Sequence, residues 1–308
     1  MSGGDSGIGY AIAEALATTN ASIIIGARNM EKGMEAAANI TQVTGNLRIS
    51  VLHLDLSSFA SVKNFSSSIT KKIDILICDA GIYANPNGLS PITNDGFERV
   101  AQVNYISHFY LTELLKGQLR TRRRSQTNQS VTGKIIHISS RMSMFPCLQA
   151  NRHRSCTIPS ALYSDITNSP SGRVPIIGLQ ASNYGLSKFF QVFHARELAR
   201  REKENWSTSE GGIQSFAVDP GFVNTSIIDF LNPLFKKIAC IDQPDPCPVS
   251  PGQGAKTATY LAVTENISQF KNGEYFLNCA VSKSQPSWTL ESQKNLFEYS
   301  MEWIKNTY

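Results

Sequence analysis

The sequence has no uninterrupted apolar run of about eighteen residues, the length that a helix needs to cross a membrane. It shows no recognisable secretory leader, so we expect a cytoplasmic location and unmodified N-x-S/T triplets. Its six cysteines form no C-x-x-C pair and have no histidine at metal-ligand spacing, which argues against a bound metal. We therefore expect reduced thiols, although Cys240 and Cys247 flank a short loop and can pair in an oxidising compartment.

Charged residues are also scarce, at 17% of the 308 residues, and the net charge is +5. Much of the positive excess lies in "LRTRRR" at residues 119–124, which we interpret as a solvated loop between a helix and a strand. A nucleic-acid site needs basic residues spread along one face, so no nucleic-acid partner is expected. No linker-like segment divides the chain, and residues 1–308 are predicted to form a single domain.

Apolar runs typical of buried strands alternate with helical patterns along the whole chain. Strands are predicted at residues 21–27, 48–55, 73–81, 133–140, 213–221 and 273–279, and helices at 7–18, 30–41, 58–70, 97–119, 183–204 and 252–263. Strands that are apolar on both faces belong to a parallel sheet covered by helices. The sequence therefore predicts an α/β fold with a Rossmann-type, doubly wound parallel sheet.

A glycine-rich loop opens the chain, with Gly3, Gly7 and Gly9 followed by an amphipathic helix. Glycines let a backbone approach a diphosphate closely, and the helix N-terminus stabilises its negative charge. Such a loop normally leaves a central strand, which we expect to be absent from this sequence. We interpret the sequence as truncated, with unpaired backbone near residues 23–25 and 75–77. An anchor to the endoplasmic-reticulum membrane would then also lie outside it.

Cofactor choice is predicted from the end of the second strand, where "GARNMEK" carries Arg28 and Lys32 and no acid before Glu31. An acid at this place would favour the ribose hydroxyl of NAD, whereas basic residues favour the 2′-phosphate of NADP. The sequence therefore predicts NADP(H) over NAD(H). The alternative to a role in cofactor binding is that Arg28 is a solvated charge at the end of a strand.

A second group of residues points to acid–base chemistry. Tyr184 and Lys188 are four residues apart on a predicted helix, so the phenol and the ammonium share one face. A nearby cation favours the phenolate, and we expect it to lower the pKa of Tyr184. Upstream, Ser140 ends a buried strand, and Asn104 places an amide that needs partners inside an apolar helix.

Together these motifs resemble the short-chain dehydrogenase/reductase family, and the resemblance covers essentially the whole chain. The matching segments are "SGGDSGIG", "LDLSS", "CDAG", "VNYISHF", "IIHISS", "YGLSK" and "DPGFVNT". Within the family the chain looks most like the retinol-dehydrogenase-like branch, which includes the WW-domain oxidoreductases. "GARNMEKG", a long segment before Tyr184, and the ending "GEYFLNC…NLFEYSMEWI" carry that likeness.

The resemblance implies an NADP-dependent oxidoreductase for a lipophilic alcohol or carbonyl compound of retinoid, steroid or aldehyde type. Tyr184 would exchange the proton, Ser140 would bind the substrate oxygen, Lys188 would lower the Tyr184 pKa and hold the nicotinamide ribose, and Asn104 would hold a water. Asp55 would bind the adenine edge and Thr225 the carboxamide or diphosphate end. Cofactor contacts are thus expected from Gly3, Ser6, Gly7, Ile8, Gly9, Arg28, Asp55, Leu56, Ala80, Gly81, Asn104, Tyr184, Lys188, Pro220, Gly221, Val223 and Thr225.

Two departures from the family pattern leave alternatives open. Cys78 and Asp79 replace two asparagines, and Asp79 either places a charge near the cofactor or accepts backbone hydrogen bonds. Residues 141–182 form a long insertion before Tyr184, either a partly apolar lid or a solvated segment.

A catalytically silent protein that acts through protein interactions is the alternative function. A reductase of the protochlorophyllide type is suggested by "ICDAGIY" alone.

Overall fold

The fold is known from a computed structural model that describes residues 1–83, 92–119, 122–123, 130–144, 180–205, 212–230, 240, 247–265, 267–283, 286 and 289–305. The strands are β1 (Ile23–Ala27), β2 (Ile49–His53), β3 (Ile75–Cys78), β4 (Arg122–Arg123), β5 (Ser130–Val131), β6 (Gly133–Ile138), β7 (Ile213–Asp219), β8 (Tyr275–Leu277) and β9 (Ala280–Val281). The α-helices are α1 (Gly7–Ala17), α2 (Met30–Thr44), α3 (Phe59–Ser67), α4 (Arg99–Ala101), α5 (Ser107–Leu119), α6 (Gln180–Asn205), α7 (Pro251–Val263) and α8 (Leu290–Lys305).

Parallel pairing runs through most of the sheet. β1 pairs with β2, and β3, β6, β7 and β8 follow one another in register, with β9 antiparallel at the edge. Each of the six predicted strands is present, and each is shorter than predicted at one or both ends, because the backbone pairing ends before the predicted run does. The predicted doubly wound α/β class is confirmed.

The central position between β1 and β3 is held by the first residues of the chain. Ser2 bridges in parallel to Gly26 on one side and to Cys78 on the other. The Gly26 amide donates to the Met1 carbonyl at 2.7 Å, and the Ser2 amide donates to the Ile77 carbonyl at 3.0 Å. The expectation of two unpaired strand edges is therefore wrong at the carboxyl ends of β1 and β3, because Met1 and Ser2 satisfy backbone groups there.

Helices cover both faces of this sheet, and each face has its own apolar core. One core joins α1, α2 and α7 to the sheet and includes Ile12, Ile25, Ile40, Phe216 and Leu261. The other joins α3, α5, α6 and α8 and includes Phe65, Phe109, Phe189, Phe297 and Trp303. The closing helix suggested by the end of the sequence thus packs on the second face, where the Tyr105 hydroxyl meets Ser300 at 2.7 Å. Among the described helices, none is long and apolar enough to span a membrane.

The helix predicted at residues 97–119 is interrupted in the structure. A π-helical turn, Gln102–Ile106, separates α4 from α5. Such a turn widens the helix by one residue and changes the direction of its side chains, and π-turns are frequent at functional sites. Asn104 lies inside this turn and is fully buried.

Two further expectations are corrected. Cys240 and Cys247 form a disulfide, with their Cα atoms 5.7 Å apart, so the expected reduced state is wrong for this pair. Cys78 and Cys279 are free, and the other two cysteines lie outside the described residues. Within the predicted loop at residues 119–124, residues 122–123 form the short strand β4, which pairs antiparallel with β5.

Lys134 connects the sheet to the end of a helix. Its Nζ donates to the carbonyl oxygens of Leu261, Ala262 and Thr264 at 3.1, 3.0 and 2.7 Å. These carbonyls belong to the carboxyl end of α7, which has no further intrahelical donor for them and carries partial negative charge.

Replacing Lys134 by methionine should lower the free energy of unfolding by about 1–3 kcal/mol, because it leaves helix-end carbonyls without this donor. Chemical denaturation of wild type and variant measures the difference. Lys256→Met is the matched control, since Lys256 is exposed on the same helix. Equal losses in the two variants would contradict the role given to Lys134.

Candidate active site

The carboxyl ends of β1, β3, β6 and β7 surround a cavity of about 890 Å³. Its walls bring together nearly all the residues that the sequence predicted for the site, although these lie far apart in the chain. Gly9 and Asn104 are the predicted residues that do not line it. The predicted residues that do are Gly3, Ser6, Gly7, Ile8, Arg28, Asp55, Leu56, Ala80, Gly81, Ser140, Tyr184, Lys188, Pro220, Gly221, Val223 and Thr225.

The glycine-rich loop is shaped for close approach of a ligand. Gly3 and Gly7 have φ values of 69° and 54°, a region that side chains other than glycine rarely adopt. A Cβ on Gly9 would lie 2.1 Å from the Gly3 carbonyl oxygen, so α1 can pack against the loop only with glycine there. Ser6, at the start of α1, makes no side-chain cap bond, and its helix begins without an acid in the first turn. The N-terminus of α1 can therefore hold an anion.

Opposite charges stand at the β1 end of the cavity. Arg28 is exposed and lines the cavity, whereas Lys32 is not among its lining residues. The Asp55 carboxylate accepts the Ser57 amide at 2.8 Å and the Ser57 hydroxyl at 2.7 Å, which fixes its orientation. Of the two predicted basic residues, Arg28 is thus the one placed to meet a ligand in the cavity.

The loop after β7 forms another wall. Its backbone is tied down by the Val249 amide, which donates to Phe222 at 2.9 Å, and by the Asn224 amide, which donates to Val249 at 2.8 Å. Gly221 has a φ of 82°, and its amide donates to the Asp219 carboxylate at 3.0 Å. These bonds hold Pro220, Gly221, Val223 and Thr225 against the ligand space.

Tyr184 and Lys188 lie in the first part of α6, with both side chains buried. The Tyr184 hydroxyl is hydrogen-bonded to Ser140. Lys188 Nζ donates to the Ile138 carbonyl at 2.7 Å and lies 5.6 Å from the centre of the Tyr184 ring. The Ser139 hydroxyl donates instead to the Lys188 carbonyl at 2.8 Å, which leaves Ser140 as the serine that meets Tyr184.

The proton affinities differ from the sequence expectation. Burial raises the pKa of Tyr184, and the carboxylates of Asp79 and Asp219 raise it further, while the bond to Ser140 opposes the shift. Burial lowers the pKa of Lys188 to about 8, against the attraction of Asp79. The expected lowering of the Tyr184 pKa is therefore not found, because loss of hydration outweighs it. The raised pKa favours the protonated form of the phenol.

Asn104 fixes the segment that follows β3. Its Oδ1 accepts the Ile82 amide at 2.8 Å, and its Nδ2 donates to the Ile82 carbonyl at 2.9 Å and to the Ser187 hydroxyl at 3.0 Å. Both amide hydrogens are thus engaged with protein groups. The water-holding role stays a prediction, whereas the observed contacts position Gly81 and Ile82 beside Lys188.

Sequence reasoning missed a chain of hydrogen bonds from the glycine-rich loop to Asn104. The Ser2 hydroxyl oxygen accepts the amides of Asp79 and Ala80 at 3.1 and 3.2 Å and lies 2.8 Å from His108 Nε2. His108 Nδ1 lies 3.0 Å from the Asn104 carbonyl oxygen, so it must carry the proton and Nε2 accepts from Ser2. Burial lowers the pKa of His108 to about 4, and the ring is neutral. Its position four residues after Asn104 was the available signal.

The long insertion at 141–182 lies mostly outside the described residues, and its role as a lid stays a prediction. The described start is a 3₁₀-turn, Arg141–Met144. Met142 lines the cavity, and Met144 packs against a buried cluster that includes Val192 and Tyr275.

His108→Leu should lower the free energy of unfolding by about 1–3 kcal/mol, since it leaves a buried hydroxyl and a buried carbonyl each short of a partner. Thermal and chemical denaturation measure this loss. His53→Leu serves as the control, because His53 is exposed and should change stability by less than about 0.5 kcal/mol. An unchanged stability of His108→Leu would show that the chain of bonds is dispensable.

Comparison with known proteins adds independent findings to this geometry. Residues 1–151 match the family model described as short chain dehydrogenase. The chain is 30% identical over 297 residues to dehydrogenase/reductase SDR family member 13 of Bos taurus, covering 93% of this chain and 67% of that protein. It is 29% identical over 290 residues to the WW domain-containing oxidoreductase of Gallus gallus, covering 91% and 61%. It is 28% identical over 295 residues to retinol dehydrogenase 11 of Homo sapiens, covering 92% and 77%.

These relatives extend beyond the matched region, since the chain spans 61% of the chicken protein and about two thirds of the bovine one. Among solved structures, a complex of Pseudomonas aeruginosa RhlG with NADP in the active site matches with a TM-score of 0.62 and 22% identity. That match covers 89% of this chain and 91% of the other. At this level of identity the likeness concerns the fold.

Proposed function

The chain belongs to the short-chain dehydrogenase/reductase family, in its retinol-dehydrogenase-like branch, and we propose that it uses NADP(H) to interconvert a lipophilic alcohol and its carbonyl compound. Nicotinamide-dependent hydride transfer is the chemistry of this family, and the chain is an oxidoreductase. The preference for NADP(H) and the class of substrate are the proposed parts. The meeting of Ser140, Tyr184 and Lys188 at the wall of the cavity carries the proposal.

The residues present fit a nicotinamide dinucleotide. Glycine at position 9 lets α1 pack against the loop, and a Cβ on Gly81, which lines the cavity, would lie 3.2 Å from Asn104 Oδ1 and 3.4 Å from Lys188 Nζ. The N-terminus of α1 would hold the diphosphate, and the segment around Gly81 would face the nicotinamide ribose. When bound, the cofactor supplies or accepts a hydride.

The side chains of this protein supply the proton and hold the substrate oxygen. In the direction of reduction, the carbonyl oxygen would lie between the hydroxyls of Ser140 and Tyr184, and Tyr184 would donate its proton to that oxygen as the carbon receives hydride. In the direction of oxidation, the phenolate would take the proton back from the alcohol. The cation of Lys188 would stabilise the phenolate that reduction leaves behind.

Apolar residues on the cavity wall favour a lipophilic substrate. Beyond Tyr184 the cavity is lined by Ile82, Tyr83, Val103, Met142, Phe222, Ile227 and Ile228. The Tyr83 ring lies 5.2 Å from the Tyr184 ring, so the aromatic wall continues up to the proton donor. A substrate with an extended apolar body would bury its surface here and present only its oxygen to Ser140 and Tyr184.

Tyr184→Phe should abolish turnover of retinoid, steroid and long-chain aldehyde substrates yet leave cofactor affinity nearly unchanged, because only the proton donor is lost. Lys188→Ala should impair both, since the ammonium also lies beside the ribose site. Steady-state kinetics and fluorescence titration with NADPH separate these effects.

Tyr260→Phe is the control for the loss of a phenolic hydroxyl, since Tyr260 lies on α7 and does not line the cavity. A Tyr184→Phe protein with near-normal kcat would rule out the assigned proton donor. A wild-type protein that binds no nicotinamide cofactor would favour a catalytically silent role.

Arg28→Ala should weaken NADPH binding by about 1.5–3 kcal/mol, the usual contribution of a hydrogen bond to a charged group, and leave NADH binding nearly unchanged. Titration of both cofactors against wild type and variant measures the preference. Lys32→Ala should have a smaller effect, because Lys32 does not line the cavity. Equal affinities of the wild type for NADPH and NADH would contradict the proposed preference.

A further inference from the structure

Asp79 is an acid on the wall of the cavity that the mechanism above does not use. It directly follows β3, and its carboxylate reaches beneath the glycine-rich loop. A Cβ built on Gly9 would lie 2.5 Å from Asp79 Oδ2, and one on Gly3 would lie 3.0 Å from it. The carboxylate also accepts the backbone N–H of Gly9. Asp79 therefore places an anion at the first turn of α1, where a diphosphate would also bind.

The groups around Asp79 are of both signs. Lys188 on α6 attracts the carboxylate, and Asp5 in the glycine-rich loop repels it. Tyr184 on α6 and Cys78 on β3 are the other titratable neighbours, and burial raises the pKa of both, to about 12 for Cys78, so both are neutral. One cation and one further acid thus face Asp79 from the elements packed against it.

We propose that Asp79 controls the affinity of the site for its anionic dinucleotide, such that the carboxylate opposes binding and the bound state takes up a proton on Asp79. This inference rests on the proposed use of a nicotinamide dinucleotide. Two anions at one helix N-terminus repel each other, and the repulsion is strong where water is excluded. Protonation removes it and leaves a carboxyl oxygen to accept the Gly9 amide.

The proton needed for this step is available near neutral pH. Burial raises the pKa of Asp79 to about 7, and Lys188 and the Gly9 amide oppose the shift. Below this pH the carboxyl is neutral and adds no repulsion. Above it the free protein carries the carboxylate, and dinucleotide binding must either tolerate the repulsion or take a proton from solvent. Affinity should therefore fall as pH rises through this range.

The test compares NADPH affinity of wild type, Asp79→Asn and Asp5→Asn at about pH 5.5 and about pH 8. Asparagine keeps an oxygen for the Gly9 amide and removes the charge. We expect Asp79→Asn to match the wild type at the lower pH and to bind about fivefold more tightly at about pH 8, as follows for a pKa that rises by one unit from about 7 on binding. Asp5→Asn removes the acid that repels Asp79, so it should move the pH dependence to lower pH without abolishing it.

An infrared difference spectrum supplies a readout that neither Lys188 nor the cofactor phosphates can mimic. At about pH 8, addition of NADPH to the wild type should produce the carbonyl stretch of a protonated carboxylic acid, and Asp79→Asn should lack it. The wild-type spectrum decides the matter even if Asp79→Asn does not fold, which a thermal melt would reveal.

Three results would overturn the role of Asp79 and leave the proposed function standing. The first is binding of NADPH without this band, and the second is an affinity ratio of wild type to Asp79→Asn that is the same at both pH values. The third is loss of the pH dependence in Asp5→Asn but not in Asp79→Asn. A wild type that binds neither NADPH nor NADH at either pH overturns the proposed function and this inference with it.

Discussion

The arrangement of the site depends on the contacts that Ser2 makes. Its backbone bridges β1 and β3, so it links the two strands at their carboxyl ends. Its hydroxyl accepts two amides of the segment after β3 and, through His108, reaches the carbonyl of Asn104. A small hydroxyl side chain can serve all of these groups because they converge where the strands end. These contacts hold the glycine-rich loop and the segment around Asn104 in fixed positions relative to each other.

Burial controls the ionisation of the side chains in this site. Loss of hydration raises the pKa of Tyr184 and lowers that of Lys188, and it keeps His108 neutral. Each of these pKa shifts favours the uncharged form of the side chain. The Tyr184 phenol therefore favours its protonated form, and the site has few fixed charges. The attraction between Lys188 and Asp79 opposes these shifts without reversing them. Burial still lowers the pKa of Lys188 to about 8 and raises the pKa of Asp79 to about 7.

Much of the fold was predictable because its signals are local. Runs such as Ile75–Cys78 are apolar on both faces, which is typical of a covered parallel strand. The π-turn at Gln102–Ile106 was not predictable, since the apolar pattern of an ordinary helix fits the same residues. The pairing of Cys240 with Cys247 was also left open, because sequence spacing permits a disulfide without requiring one.

The sequence by itself determined the class of the fold and the identity of the reactive groups, since glycine spacing, strand-end serine and the Tyr184–Lys188 pair are properties of neighbours along the chain. The tertiary structure alone decided how those groups behave. It showed that Arg28 and not Lys32 reaches the cavity, that Asn104 binds Ile82, and that burial raises the pKa of Tyr184. These outcomes depend on distance and hydration, and both are set by parts of the chain that are remote in sequence and meet only when the sheet is assembled.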